Sequence, residues 1–336
     1  MPKALTIRVI YPLQSGRIVL RTDVDWNHDV EAVSVSPDRT TFEFRYELSR
    51  PYFYFKPCVV DGNGFHWSVG TNYLAVMDTP GGKDIYPHFF SGTDGSISDP
   101  IDFYSHAASA SYRIRVYFPP GHDENTLKRY PVLYMHDGNN LFFPAEAFMG
   151  NDWNVEGTMD RLDSMNIIDK VIVVGIYPRD RMNEYTKPGY ETYGRFVADE
   201  LKPEVDAKLR TLPSPDRTAV MGSSLGGVVS LYLAWQRPDA FGKAACLSST
   251  FDYRDDLFER IASEPKRGVE LYIDSGWPQD NYEVGRSMRD LLVRRGYEFG
   301  NDLLYFAFPD ALHNESSWAS RSHIPFQFFF GKTPKL

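Results

Sequence analysis

The chain has 336 residues, 42% hydrophobic and 24% charged, which is the composition of an ordinary globular protein with room for two domains. A net charge of −9 leaves no basic stripe to neutralise phosphates, which argues against a nucleic-acid partner. No apolar run is long enough to span a membrane, Met1-Pro2-Lys3-Ala4-Leu5-Thr6 lacks an apolar signal core, and Cys58 and Cys246 lie far apart in apolar runs. The expectation is a cytoplasmic protein with two buried thiols, no disulfide framework and no membrane contact.

The first 77 residues carry short alternating runs. Examples are Leu5-Thr-Ile-Arg-Val-Ile10, Arg17-Ile-Val-Leu-Arg21, Thr41-Phe-Glu-Phe-Arg-Tyr46 and Phe53-Tyr-Phe-Lys-Pro-Cys-Val-Val60. Turn residues such as Ser15-Gly16 and Asp61-Gly-Asn-Gly64 separate them. Many short strands with no helical period predict a small all-β, immunoglobulin-like sandwich over residues 1–80. Ser91-Gly-Thr-Asp-Gly-Ser-Ile-Ser-Asp-Pro100 is dense in turn formers, so 81–105 reads as a surface linker.

From 106 to 336 the pattern changes to α/β. Tyr112 to Phe118, Pro131 to Met135 and Lys170 to Gly175 read as buried strands. Helical patterns follow at Phe196 to Leu209 and Val284 to Leu292. Buried strands alternating with helices predict a parallel sheet covered on both faces.

Within this region stands Met221-Gly222-Ser223-Ser224-Leu225-Gly226-Gly227. The Gly222-x-Ser224-x-Gly226 pattern is a nucleophile elbow when a strand precedes it and a helix follows. Arg217 to Met221 supplies the strand, and Val228 to Gln236 supplies the helix, ended at Arg237-Pro238. A serine hydroxyl needs a base, and in α/β-hydrolases the chain order is nucleophile, acid, histidine. Only His313 and His323 follow Ser224. His313 lies in a loop after the strand-like Leu303 to Phe308, where the base belongs, whereas His323 falls in a helical tail. The acid should follow the strand Val269 to Ile273, which offers Asp274, Asp280 and Glu283. Asp280 is favoured, because its loop can curl back to the histidine, with Asp274 as the alternative. The oxyanion hole calls for two N–H groups, assigned to Leu225 at the helix start and Asn139 in Met135-His-Asp-Gly-Asn-Asn140, with Gly138 permitting the sharp turn. His136 and Asp137 lack the clustering a metal site needs, so no metal or other cofactor is expected.

These residues resemble the esterase family of α/β-hydrolases, which takes in enterochelin esterases, feruloyl and acetyl-xylan esterases and the mycolyltransferases. The carriers are Arg113 to Gly121, Tyr130 to Phe142, Val173-Val-Gly-Ile176, Arg181-x-x-Glu184-Tyr-Thr186, the Ser224 elbow and His313-Asn-Glu-x-x-Trp318. Arg181 and Glu184 read as an ion pair that positions a loop. The first domain resembles starch-binding-type carbohydrate modules through Tyr54-Phe-Lys56, Asp61-Gly-x-Gly64 and Trp67-x-x-Gly70-x-Asn72-Tyr73. That resemblance implies Lys56, Trp67 and Asn72 as sugar contacts, with Trp67 stacking on a pyranose face. A second stacking tryptophan has no match, since Trp26 comes too early in the chain.

The expectation is a serine carboxylic-ester hydrolase that works through an acyl-enzyme on a small-molecule ester, such as an acetyl or feruloyl ester of a sugar. Alternatives are an acyltransferase, an enterochelin-like siderophore esterase, and a glycan-binding protein with an inactive hydrolase domain. An anionic siderophore favours a basic cover, and residues 1–80 hold 8 Lys/Arg against 9 Asp/Glu.

Overall fold

The computed structural model describes residues 3–77 and 79–332. Met1, Pro2, Asp78 and 333–336 lie outside the described residues, and with them the two ends of the expected domains. Contacts group the chain into two compact units. One holds the residues up to 95, with 119–128 and 160–166. The other holds 96–118, 129–159 and 167 onward.

The first unit contains nine strands: β1 (Lys3–Ile10), β2 (Arg17–Thr22), β3 (Asp25–Glu31), β4 (Ser34–Val35), β5 (Thr41–Leu48), β6 (Tyr52–Asp61), β7 (Gly64–Trp67), β8 (Tyr73–Val76) and β9 (Lys83–Ile85). They form two sheets, β4-β5-β1-β9 and β3-β2-β6-β7, with β8 also paired to β6. Alternation decides the faces. Leu5, Ile7 and Val9 of β1 are buried while Thr6 and Arg8 turn outward. They meet Phe42 and Phe44 of β5, Ile18 and Leu20 of β2, and Phe53 and Phe55 of β6 in one core. Each such side chain stabilises the unit by about 1.5–3 kcal/mol.

The second unit is built on a nine-stranded sheet. Its strands are β10 (Ser96–Ile97), β11 (Ile101–Ser105), β12 (Ala110–Phe118), β13 (Val132–Met135), β14 (Ile172–Ile176), β15 (Thr218–Ser223), β16 (Lys243–Leu247), β17 (Glu270–Trp277) and β18 (Leu303–Pro309). The order is β10-β12-β14-β13-β15-β16-β17-β18, and β11 pairs with β12. All pairs from β14 to β18 are parallel, and β12 joins antiparallel. Every residue of β13, β14, β15 and β16 is buried. That explains why Val132–Met135 and Ile172–Ile176 read as unbroken apolar runs rather than as alternations. The strand order reverses about β13, which has β14 on one side and β15 on the other. At such a switch point a crevice opens beyond the carboxyl ends of the strands.

The helices are α1 (Val155–Ser164), α2 (Arg181–Glu184), α3 (Gly189–Arg195), α4 (Lys202–Lys208), α5 (Leu225–Gln236), α6 (Leu257–Ser263), α7 (Tyr282–Arg294), α8 (Glu315–Arg321) and α9 (His323–Phe330). A π-helical segment, Phe196–Leu201, joins α3 to α4. Helix α5 is buried from Leu225 to Trp235, as its all-round apolar sequence requires. Among the described residues no helix is long and apolar enough to cross a membrane.

Two features differ from the sequence reading. Residues 81–105, expected as a linker, contain β9, β10 and β11, and Ile85 and Phe89 belong to the sandwich core. Strands of two to five residues among turn formers are too short to display a period. Residues 119–128 and 160–166, expected in the second domain, group with the first unit. Glu124 gives the physical reason for the former. Its carboxylate accepts hydrogen bonds from the Phe89, Phe90 and Ser91 N–H groups, the Ser91 hydroxyl and the Tyr11 hydroxyl. The amide of Asn125 beside it donates to the Ile10 and Pro87 carbonyls.

Burial opposes ionisation of Glu124, but the bonds from Ser91, Phe89 and Phe90 outweigh it and hold the carboxyl below its ordinary pKa. Its contribution is therefore complete above the unfolded carboxyl pKa, and is lost as pH falls through the folded one. Glu124→Gln should cost about 1–3 kcal/mol at pH 7, with the difference from wild type shrinking below about pH 4. Urea unfolding at both pH values measures this. An equal deficit at both would contradict anchoring by the ionised carboxylate.

Candidate active site

Ser224 sits between β15 and α5 at φ 54°, ψ −121°, a conformation that costs an L-residue roughly 1–3 kcal/mol. The surroundings impose it. Its N–H donates to the Leu247 carbonyl of β16, and its own carbonyl accepts from Gly227 and Val228 in the first turn of α5. The flanking glycines are required by proximity. A Cβ on Gly222 would lie 2.6 Å from the Gly226 carbonyl carbon, and one on Gly227 would lie 1.8 Å from Ser249 Oγ. The helix starts against the strand that precedes it, with no side chain between them.

Two further loops at the carboxyl ends of the strands complete a row. His313, after β18, places Nε2 3.0 Å from Ser224 Oγ and Nδ1 2.6 Å from Asp280 Oδ1. Asp280, after β17, turns back at φ 64° and its side chain is buried. Its second oxygen accepts the Gly276 N–H at 2.8 Å and the Ser248 hydroxyl at 2.6 Å. Burial pushes the Asp280 pKa up, but these hydrogen bonds, led by His313, hold it below the ordinary value. The carboxylate is therefore ionised at neutral pH. The His313 side chain is 39% exposed, so the row is open to solvent at the imidazole.

Asp274, the alternative acid, does not touch His313. It accepts from both Nε and Nη2 of Arg321, from the Tyr272 hydroxyl and from the Ser248 N–H. Glu283 is exposed on α7 and pairs with Arg286, and His323, the first residue of α9, hydrogen-bonds through Nδ1 to the Ser320 carbonyl of α8.

The loop after β13 packs against the start of α5. A Cβ on Gly226 would lie 3.3 Å from Asp137 Oδ2 and 3.5 Å from His136 Cβ. Leu225 is the first residue of α5, where the N–H has no partner within the helix. Asn139 lies in the 3-10 turn Gly138–Asn140, beside the loop residues that touch α5. Gly138 plays a different part from the one expected of it. The left-handed residue is Asp137, at φ 55°, whereas Gly138 is required because a Cβ there would meet β14 at Gly175 C, 2.7 Å away.

Arg181 also pairs differently. It forks onto Asp137 at 2.7 and 3.0 Å and reaches the Ser223 carbonyl at 3.3 Å. Glu184 instead accepts from the Tyr112 hydroxyl and the Arg179 N–H. No sequence period signals an Arg181–Asp137 pair, because its partners come from separate loops brought together by the sheet order. His136 is fully enclosed, with Nδ1 2.9 Å from the Tyr193 hydroxyl. Burial, aided by Arg181, pushes its pKa down to about 3, so it is neutral at physiological pH.

In the first unit Lys56 Nζ donates to the Gly70 carbonyl at 2.6 Å, and burial lowers its pKa. Trp67 is 39% exposed and Asn72 is exposed. Trp26, far from Trp67 in sequence, packs edge-on against it with ring centroids 6.4 Å apart, across the two strands that separate β3 from β7 in their sheet.

The esterase family, described as "Putative esterase", matches residues 105–319, and the chain belongs to it. It is a carboxylic ester hydrolase of the α/β-hydrolase fold. The endo-1,4-beta-xylanase/feruloyl esterase of Xylanibacter ruminicola is 23% identical over 257 residues, 72% of this chain and 34% of that longer enzyme. The CE1 ferulic acid esterase AmCE1/Fae1A from Anaeromyces mucronatus aligns with a TM-score of 0.56 at 19% identity, covering 70% of this chain and 90% of that one. The enterobactin esterase FES from Shigella flexneri aligns with a TM-score of 0.57 at 15% identity, covering 97% and 92%. At these identities the structural likeness is one of fold.

A methyl group at Gly222 must push α5 away from β15. Gly222→Ala should lower kcat on a small aryl ester by about 10²-fold with KM little changed, since an ångström of misplacement is enough for that loss. Steady-state kinetics measures it, and an undiminished kcat would contradict the close approach as a requirement.

Proposed function

Taking membership of the esterase family as the premise, we propose that Ser224 is the nucleophile of a Ser224–His313–Asp280 triad. The observation that carries this reading is the continuous hydrogen-bonded row from Ser224 Oγ to Asp280 Oδ1. Ser224 Oγ attacks the ester carbonyl while His313 Nε2 takes its proton. The N–H groups of Leu225 and Asn139 stabilise the oxyanion, a device worth about 2.7–4 kcal/mol per donor. Collapse expels the alcohol, which receives the proton from His313, and leaves an acyl-enzyme. Water then attacks with His313 again as base, the acid departs, and Ser224 recovers its proton. Asp280 holds the imidazole orientation throughout.

For the substrate we propose a sugar ester with an apolar or aromatic acyl group of the feruloyl type. Loops at the carboxyl ends of five parallel strands present exposed large apolar side chains. These are Phe148 and Met149 after β13, Met182 after β14, Tyr253 after β16, Trp277 at the end of β17 and Leu312 after β18. Such a rim supports an apolar acyl group over acetyl. Transfer of the acyl group to an alcohol in place of water uses the same residues, and product analysis with added acceptors separates the two. In the first unit, the exposure of Trp67 and Asn72 supports them as sugar contacts, with Lys56 engaged by Gly70.

A fluorophosphonate should label the wild type and not Ser224→Ala; equal labelling of the two would overturn the nucleophile. Among sugar esters, feruloyl-type compounds should show the highest kcat/KM, above acetyl esters and catecholate triesters, and a preference for the last would point to siderophore hydrolysis. Trp67→Ala should weaken retention on xylan or starch in affinity gels while leaving turnover of a small aryl ester unchanged. Equal migration of both proteins in the gels would remove the carbohydrate role.

A further inference from the structure

Behind the catalytic row lies a buried polar cluster that ester hydrolysis, as written above, does not use. Arg321, at the end of α8, is 2% exposed. Its guanidinium forks onto Asp274 of β17 at 2.9 and 3.1 Å, donates to the Ser317 carbonyl, and donates through Nη2 to the hydroxyl of Ser248. One turn earlier on α8, Trp318 donates its indole N–H to the same hydroxyl at 3.0 Å. Ser248 follows β16 at φ 43°, held by hydrogen bonds from its N–H to the Asp274 carbonyl and carboxylate.

The donor inventory settles where the protons lie. Guanidinium and indole can only donate, so both bonds to Ser248 Oγ are accepted by its lone pairs. Its single proton is left for Asp280 Oδ2 at 2.6 Å, a length typical of a hydroxyl on an ionised carboxylate. That oxygen also accepts the Gly276 N–H. With Oδ2 doubly supplied and Asp280 ionised, Oδ1 faces His313 as an acceptor. The Nδ1 of His313 therefore carries the proton, which leaves Nε2 as the acceptor aimed at Ser224 Oγ. The same Trp318 ring stands edge-on to His313, 4.9 Å away.

We propose that Arg321, acting through Ser248, is a positioning residue for the reaction: it orients the Ser248 hydroxyl onto Asp280 and so fixes which nitrogen of His313 is free to take the Ser224 proton. The inference rests on the triad reading above. Arg321 touches no reacting atom, and its nearest approach to Asp280 is 3.7 Å. The hydrogen bonds that hold the Asp280 pKa below its ordinary value despite burial include the one from Ser248. The groups facing Asp280 are His313, from the loop after β18, and Arg321, from α8. Behind Arg321 stand Asp274 and Tyr272 of β17, and beside Asp274 is Cys246 of β16, the phenol and thiol both pushed up by burial.

The test is the rate of fluorophosphonate labelling, with kcat, KM and the pH profile of kcat/KM on a small aryl ester. Ser248→Ala keeps the Arg321–Asp274 pair and removes the relay, together with the acceptor of the Trp318 indole N–H. It should slow labelling and kcat by about 10- to 100-fold, the range seen when an outer hydrogen-bond partner of a metal-bound histidine is removed, with KM within about twofold. Its acid limb should move to higher pH, because a carboxylate with one donor fewer holds the protonated imidazole more tightly. Arg321→Met alone leaves Asp274 buried and unpaired, so it is paired with Asp274→Leu. The double variant should recover thermal stability without recovering the labelling rate. Wild-type rates and an unmoved acid limb in Ser248→Ala, or full activity in the double variant, would overturn the positioning role and leave the triad standing. A wild type that is not labelled at Ser224 would overturn both.

Discussion

The site depends on one close approach, that of Gly222 at the end of β15 to Gly226 in the first turn of α5. Because no side chain separates them, the chain turns from strand to helix within one residue, and that residue, Ser224, takes the strained backbone angles. The turn brings a hydroxyl to the point where the sheet order reverses, and it sets the first N–H groups of α5 beside that hydroxyl. Both consequences come from a steric fact about two glycines. The strain is sustained because α5 is buried along its length and cannot relax outward.

Around this turn the charges are paired before they are used. Asp137 is held by Arg181, and Asp274 by Arg321, each in a bidentate geometry. Ion pairs this enclosed add little net stability, because desolvation offsets much of the attraction. Their value lies in direction. Arg181 ties the loop after β13 to the Ser223 carbonyl, and Arg321 organises the far side of Asp280. Asp280 differs from both neighbouring carboxylates in having an imidazole, His313, as its leading partner where Asp137 and Asp274 have a guanidinium. The three acids are chemically alike, and only that difference in partner sets Asp280 apart.

Much of this was legible in the chain. The alternation of Leu5, Ile7 and Val9 announces a half-buried strand, and the unbroken run Val132 to Met135 announces a doubly buried one. Gly222-x-Ser224-x-Gly226 announces the turn, and a histidine placed after the last strand announces its own partner. The short strands in 81–105 were not legible, since two to five residues cannot carry a period. The attachment of 119–128 to the first unit was hidden for another reason. It rests on one carboxylate, Glu124, collecting donors some thirty and more than a hundred residues away in sequence. Trp26 looked misplaced as a partner for Trp67 because sequence distance says nothing about which side chains a sheet brings together.

The sequence by itself determined the class of chemistry, ester hydrolysis, and its local setting: a serine on a strand-to-helix turn, a histidine downstream and an aspartate between them, on an α/β sheet that follows a β-sandwich in the chain. Those features are local, or follow from chain order, so they survive without coordinates. Only the tertiary structure decided which carboxylate faces His313, what Arg181 pairs with, why Gly138 must be a glycine, and which groups stand behind Asp280. Each of these is a matter of which loops meet at the carboxyl edge of the sheet. That is governed by strand order and packing rather than by residue spacing, and residues dozens of positions apart become neighbours only when the sheet closes around them.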